Sequence, residues 1–191
     1  MKRLLCLGLA ASLAVLSFGQ EFKLGTAVSD FTLSDLNGNP VKFSNLKGDV
    51  TVVMFIATQC PVSNAYNGRM SSLANEYASR GVRFIAVNSN ATEPAAEVAK
   101  HAMNHGFPFK VYKDEKNAVA DRFGAQVTPE AFVIDKTGII RYHGAIDNSR
   151  NEGDVKIKAL DAAISEVLSG KTVERTEMKA FGCTIKRSKK S

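Results

Sequence analysis

Cysteine is scarce in this chain: there are three in 191 residues, at positions 6, 60 and 183. That excludes a framework of several disulfides and leaves room for one bridge or one reactive pair. Histidine is as scarce, again three. His101 and His105 have a spacing that can bind a metal on a helix, but no third ligand lies nearby in sequence, and neither a metal nor another cofactor is expected. An excess of positive charge is only apparent. The formal net charge of +6 comes from Lys2, Arg3, Lys186, Arg187, Lys189 and Lys190, and residues 20–185 balance at 19 basic and 19 acidic. A basic face for nucleic acid is therefore not expected. The basic end reads as a solvated, unordered tail.

Long apolar runs are missing as well. After Lys2-Arg3, the segment from Leu4 to Val15 falls short of the roughly 20 residues of a membrane span. With the small residues Ser17 and Gly19 behind it, the segment reads as a signal peptide, residues 1–19, cleaved near Gly19/Gln20 and taking Cys6 with it. The mature protein is expected to be exported, to a periplasm, without stable membrane insertion. There is no internal repeat and no linker, so residues 20–170 are expected to form one domain and 171–191 a tail that carries Cys183.

What is present is a succession of strand and helix patterns. Asn37-Gly38 marks a hairpin turn within residues 21–50. Residues 51–57 are continuously apolar, as in a strand buried on both faces. Val62, Tyr66, Met70, Leu73 and Tyr77 recur at helical spacing, and Gly81 supplies a stop. Val82–Val87 is a second apolar strand, followed by a helix that Thr92 can cap with Pro94 in its first turn. A short strand at 109–112, a short helix at 117–123, a hairpin over 131–146 and a helix over 154–169 complete the pattern. This order predicts an α/β fold with a mixed central sheet, helices on both faces and an N-terminal β-hairpin.

Cys60 stands where the first buried strand gives way to a helix, in Ala57-Thr58-Gln59-Cys60-Pro61-Val62-Ser63. Unpaired backbone N–H groups at a helix start favour the thiolate, the form that attacks disulfides and peroxides. Phe55 to Ser63 resembles the active-site strand and helix start of thioredoxin-fold proteins. Val127-Thr128-Pro129-Glu130-Ala131-Phe132-Val133-Ile134-Asp135 resembles the segment they place opposite. The likeness spans most of residues 25–170 and is strongest to the redoxin branch, the alkyl hydroperoxide reductase/thiol-specific antioxidant relatives, among peroxiredoxin-like proteins. It implies a thioredoxin-like fold, a cis peptide bond before Pro129, and a Thr128 backbone that pairs with an extended substrate.

The departures from that pattern shape the expected chemistry. Ser63 stands where the dithiol motif has its second cysteine, so a mixed disulfide at Cys60 cannot be resolved locally. Thr58 precedes Cys60 by two residues, whereas peroxiredoxins place threonine three before theirs. Met54 replaces the buried acid that thioredoxins often hold six residues before the first cysteine. Cys183 is the candidate resolving thiol, in an apolar island with Phe181 and Ile185 that could dock the tail; a buried or an untethered free cysteine is the alternative. Glu130 is a candidate for tuning Cys60 or shuttling a proton, or else an ordinary strand-end acid. Arg122 and Arg141 could steady a thiolate, Arg69 and Arg80 read as surface charges, and Asn64 and Tyr66 follow Cys60 closely enough to line a cleft.

The sequence thus points to a thiol–disulfide oxidoreductase with Cys60 and Cys183 as catalytic residues and Ser63, Thr128, Pro129 and Glu130 as substrate-binding residues. Its expected partners are a protein or small-molecule disulfide, or a peroxide, and an external thiol reductant. A thiol peroxidase and a non-catalytic binding module of the same fold are the alternatives.

Overall fold

The computed structural model describes residues 21–189. The expected signal segment with Cys6, and the last two residues of the basic end, lie outside the described residues. Two short strands, β1 (Thr32–Ser34) and β2 (Pro40–Lys42), pair antiparallel with Leu33 opposite Val41. Their turn is fixed by Asp35, whose carboxylate accepts the N–H groups of Asn37 and Asn39, and by Gly38 at φ +86°. This is the hairpin expected around Asn37-Gly38.

The centre of the sheet is β3 (Val50–Ile56), parallel to β4 (Val82–Asn88), with β5 (Lys110–Lys113) parallel beyond it. On the other side β3 pairs antiparallel with β7 (Glu130–Ile134), and β7 with β8 (Ile140–Gly144). Every residue of β3 and β7 is buried. Side chains alternate across a strand, so Val52, Met54, Ala131 and Val133 serve one core while Val53, Phe55, Phe132 and Ile134 serve the other. The first core is closed by α1 (Pro61–Ala65), α2 (Asn67–Tyr77), α3 (Ala95–Asn104) and α5 (Ala159–Leu168). The second is closed by α4 (Ala118–Phe123) and by Phe22, Phe31 and Phe43 of the N-terminal segment. The result is the mixed sheet with helices on both faces that the element order predicts.

Three local expectations are corrected. The helix over 62–80 is broken at Tyr66, which has φ −96° and ψ −6°. Its hydroxyl is tied 2.9 Å from Asp147 and 2.9 Å from the Ser149 carbonyl, which holds the ring inward at the break. Thr92 does not cap the next helix: Pro94 takes the cap position without a side-chain bond, and Glu93 turns inward. The tail is not loose. It adds β9 (Glu177–Met178), parallel to β8, at the edge of an eight-stranded sheet in the order β2-β1-β5-β4-β3-β7-β8-β9. It then forms β10 (Cys183–Thr184), antiparallel to β6 (Val127–Thr128).

Strand β9 can lie this close because residue 144 is glycine at φ +140°, where a Cβ would overlap the Met178 carbonyl. Gly144→Ala is expected to cost about 2 kcal/mol of stability through backbone strain and the displaced strand, read as a lowered urea midpoint with far-UV circular dichroism largely retained.

Candidate active site

Strand β3 ends at Ile56, and the chain turns through Ala57, Thr58 and Gln59 before Cys60 caps α1. The turn is held from inside. The Ser63 hydroxyl accepts the Ala57 N–H at 3.1 Å, and the Ser63 N–H points at Cys60 Sγ at 3.3 Å. Asn64 donates its amide to the Thr58 carbonyl at 2.9 Å. Ser63 is fully buried; it orients the cysteine loop and directs an N–H at the sulfur. A backbone donor at this distance favours the thiolate.

Glu93 holds the same loop from the other side. Its carboxylate accepts the N–H groups of Thr58 (2.8 Å) and Gln59 (3.1 Å) and the side-chain amides of Asn88 (2.5 Å) and Asn90 (3.0 Å). Burial pushes its carboxyl up, but the donors of Thr58, Asn88 and Gln59 outweigh that and hold it below the usual carboxylate range. Beneath it, the buried Lys113 ammonium donates to Asn88 Oδ1 and to the Asn90 and Glu93 carbonyls at 2.7–3.0 Å. Burial lowers the Lys113 pKa, against the opposing pull of Glu115, Glu93 and Asp114. Asp114 accepts Val119 N–H, Ala120 N–H and the Ser89 hydroxyl, and burial raises its pKa against those bonds. Sequence reasoning missed Glu93. The one available signal was an acidic side chain directly ahead of Pro94, in a turn at the carboxyl end of a buried strand.

Across from Cys60, the Thr128–Pro129 peptide bond is cis, and the Thr128 carbonyl oxygen lies 3.4 Å from Cys60 Sγ. Glu130 does not present a free carboxylate. One oxygen accepts Gln126 N–H (2.7 Å) and Val127 N–H (3.1 Å), and the other lies 2.6 Å from His143 Nε2. It is buried and braces the loop ahead of Pro129.

The tail completes the site. Cys60 and Cys183 form a disulfide with their Cα atoms 5.9 Å apart, 123 residues apart in sequence. Cys183 sits opposite Thr128 and Thr184 opposite Val127, and Ile185 N–H donates to the Gln126 carbonyl at 2.9 Å. Further along, the Lys186 N–H meets Asn90 Oδ1, its carbonyl accepts Ala91 N–H, and Ser188 N–H meets Asn117 Oδ1. Arg187 pairs with Asp121 at 2.8 Å. The basic end is thus docked as far as Ser188, because its backbone finds partners in the turns after β4 and β5. The same Asn90 serves both Glu93 and the tail, so one polar network ties the cysteine loop to the segment bearing the second cysteine.

Other candidates lie elsewhere. Arg122 covers the Phe22 ring and donates to Ser29 and Asp30; Arg141 pairs with Asp135; neither is bound to Cys60. Arg69 is no surface charge: it stacks 3.7 Å over the Tyr66 ring and pairs with Asp147 at 2.5 Å. The His101 and His105 rings lie 4.4 Å apart, tilted by 50°, and burial, then the neighbouring His105, lowers the His101 pKa. Among the described residues no three His, Cys, Asp or Glu side chains group as metal ligands.

Glu93→Gln keeps the shape but loses the charge that four donors address. Because the folded-state pKa lies below the ordinary 4.5, the carboxylate's contribution is fully present above that value and is lost as pH falls through the folded pKa. The variant is expected to be less stable by about 2–3 kcal/mol at neutral pH. The gap to wild type should narrow below about pH 4.5, as followed by urea unfolding across pH 3–7.

The model of the AhpC/TSA family matches residues 24–143. A thiol-disulfide oxidoreductase ResA from Geobacillus thermodenitrificans is 30% identical over 147 residues, which is 74% of this chain and 83% of the relative. Among solved structures, an uncharacterized conserved protein from Geobacillus kaustophilus superposes with a TM-score of 0.82 at 31% identity, covering 89% of this chain and 95% of that one. A hypothetical protein from Sinorhizobium meliloti 1021 does so with a TM-score of 0.81 at 32% identity, covering 90% and 98%. With a thioredoxin-like sheet, a cysteine at the first helix start and a cis-proline opposite it, the chain belongs to the AhpC/TSA family.

Proposed function

We propose that this redoxin-family thiol–disulfide oxidoreductase uses Cys60 as nucleophile and Cys183 as resolving thiol. The observation that carries the reading is the Cys60–Cys183 disulfide beside the cis-proline loop. In the reduced protein the Cys60 thiolate, steadied by the Ser63 N–H, attacks one sulfur of a substrate disulfide. The new bond is the mixed disulfide; the other substrate sulfur leaves as a thiolate and takes a proton from water. Cys183, as thiolate, then attacks Cys60 Sγ. The Cys60–substrate bond breaks, the second substrate thiol leaves, and the Cys60–Cys183 disulfide returns. The substrate has gained two electrons, and an external dithiol restores them to the protein. An exported, periplasmic setting suits the cycle, since disulfides persist in oxidising compartments.

A hydroperoxide in place of the disulfide would make Cys60 a sulfenic acid that condenses with Cys183. The disulfide substrate is preferred because Thr58 is one position out of register for a peroxidatic site.

The cycle predicts a division between the two cysteines. Cys60→Ser should abolish disulfide reduction in an insulin-type assay and form no mixed disulfide. Cys183→Ser should form the mixed disulfide with Cys60 at near wild-type rate but turn over at least tenfold more slowly, with the adduct visible by non-reducing mass spectrometry. A Cys60→Ser protein that still reduced disulfides would sink the reading. Rapid hydroperoxide consumption by wild type, with no disulfide reduction, would favour the peroxidase.

A further inference from the structure

The tail strand occupies the backbone positions where an extended substrate would pair. β10 lies antiparallel on β6 with Cys183 opposite Thr128, and it brings its sulfur to Cys60 from that slot. A substrate chain that adds to the same edge and offers a cysteine to Cys60 must use the same hydrogen-bonding groups. The tail is therefore a resident stand-in for the partner, and its side chains record what the slot accepts.

Three positions carry that record. Two residues before the cysteine, Phe181 packs against the first core with its ring edge-on to Tyr66 at 6.2 Å between centroids. One residue before, Gly182 has φ +155°, and a Cβ there would overlap the Thr128 carbonyl oxygen. Two residues after, Ile185 is 3% exposed and belongs to the second core. The strand thus straddles the end of the sheet, placing an aromatic residue on one face and an aliphatic one on the other, with the glycine letting the backbones close between them.

We propose, resting on the Cys60 thiol–disulfide reading, that the preferred partner is a polypeptide disulfide in an extended segment whose reactive cysteine follows a glycine. In that segment an aromatic residue stands two before the cysteine and an aliphatic residue two after it. We infer too that the tail competes with it for the β6 edge. In the oxidised protein the covalent bond keeps the tail in the slot and the partner out. In the reduced protein the tail is held by non-covalent contacts alone, its ladder bonds, Phe181 and Ile185, and the polar contacts of Lys186 to Ser188, and it yields. When Cys183 returns to attack Cys60 Sγ, the returning strand displaces the departing substrate segment, so resolution and product release are one movement.

The test uses the full chain with Cys183→Ser, reduced, and the peptide Ala-Phe-Gly-Cys-Thr-Ile-Lys as its mixed disulfide with thionitrobenzoate. Attack by Cys60 forms the Cys60–peptide disulfide and releases coloured thionitrobenzoate. The peptide is expected to react at least tenfold faster than versions with its glycine, phenylalanine or isoleucine replaced by alanine, and faster than the glutathione mixed disulfide. Adding Ile185→Ala to the protein, with the fold checked by circular dichroism, should raise the rate for the parent peptide severalfold by loosening the competing tail. Equal rates for all four peptides and glutathione would overturn the proposal while leaving the oxidoreductase reading intact. Failure of Cys60 to release thionitrobenzoate from any of them would instead strike at that reading itself.

Discussion

The short antiparallel ladder between Cys183–Thr184 and Val127–Thr128 is the contact on which the rest of the site depends. It joins the two cysteines, fixes the edge beside the cis-proline and anchors the last segment of the chain. Only a few backbone bonds hold it, so side chains must supply the rest. Burying Ile185 contributes on the order of 2 kcal/mol, and Phe181 adds part of an aromatic side chain on the opposite face. The disulfide adds a constraint of another kind. Closing a loop of 123 residues removes chain entropy from the unfolded state worth about 5 kcal/mol. Oxidised, the ladder is held by all of these; reduced, it keeps only the weak ones. That difference is what lets a redox event change what the β6 edge offers to a partner.

Buried charge in this protein is spent on backbone. Glu93 holds the N–H groups of Thr58 and Gln59, Glu130 those of Gln126 and Val127, and Asp114 those of Val119 and Ala120. Each carboxylate pins a loop at the end of the sheet where the sulfurs sit. Removing a carboxylate from water is costly unless donors replace the lost hydration, and here the donors are the loops themselves. Two of the three loops flank the disulfide directly, on the Cys60 side and on the Thr128 side. The geometry around sulfur is therefore set by groups that never touch it. Ser63 adds a group that does reach the sulfur: in place of a second thiol, this chain has a buried hydroxyl that braces the turn and an N–H aimed at Cys60 Sγ.

Much of this architecture was legible from local pattern. The unbroken apolar run of β3 required burial on both faces, Asn37-Gly38 required a tight turn, and the passage from strand to helix put Cys60 at a helix start. Where the reading failed, the local signal was either absent or pointed elsewhere. Helical spacing ran through Tyr66 without hinting that its hydroxyl would be claimed by Asp147 and Ser149. Thr92 looked like a cap, but Glu93 had the stronger attraction: two backbone donors from the distant Cys60 loop, joined by the side-chain amides of its near neighbours Asn88 and Asn90.

The sequence by itself determined the central sheet, its two buried faces and the place of Cys60 at a helix start, because hydrophobic period and turn chemistry are local and act over a few residues. Only the tertiary structure decided that Cys183 meets Cys60, that Ser63 faces inward and that the basic end is docked through Ser188. Two-residue strands such as β9 and β10 have no period of their own. They exist because β8 and β6 offer them edges to pair with, and those edges lie dozens of residues upstream, beyond the reach of any local pattern.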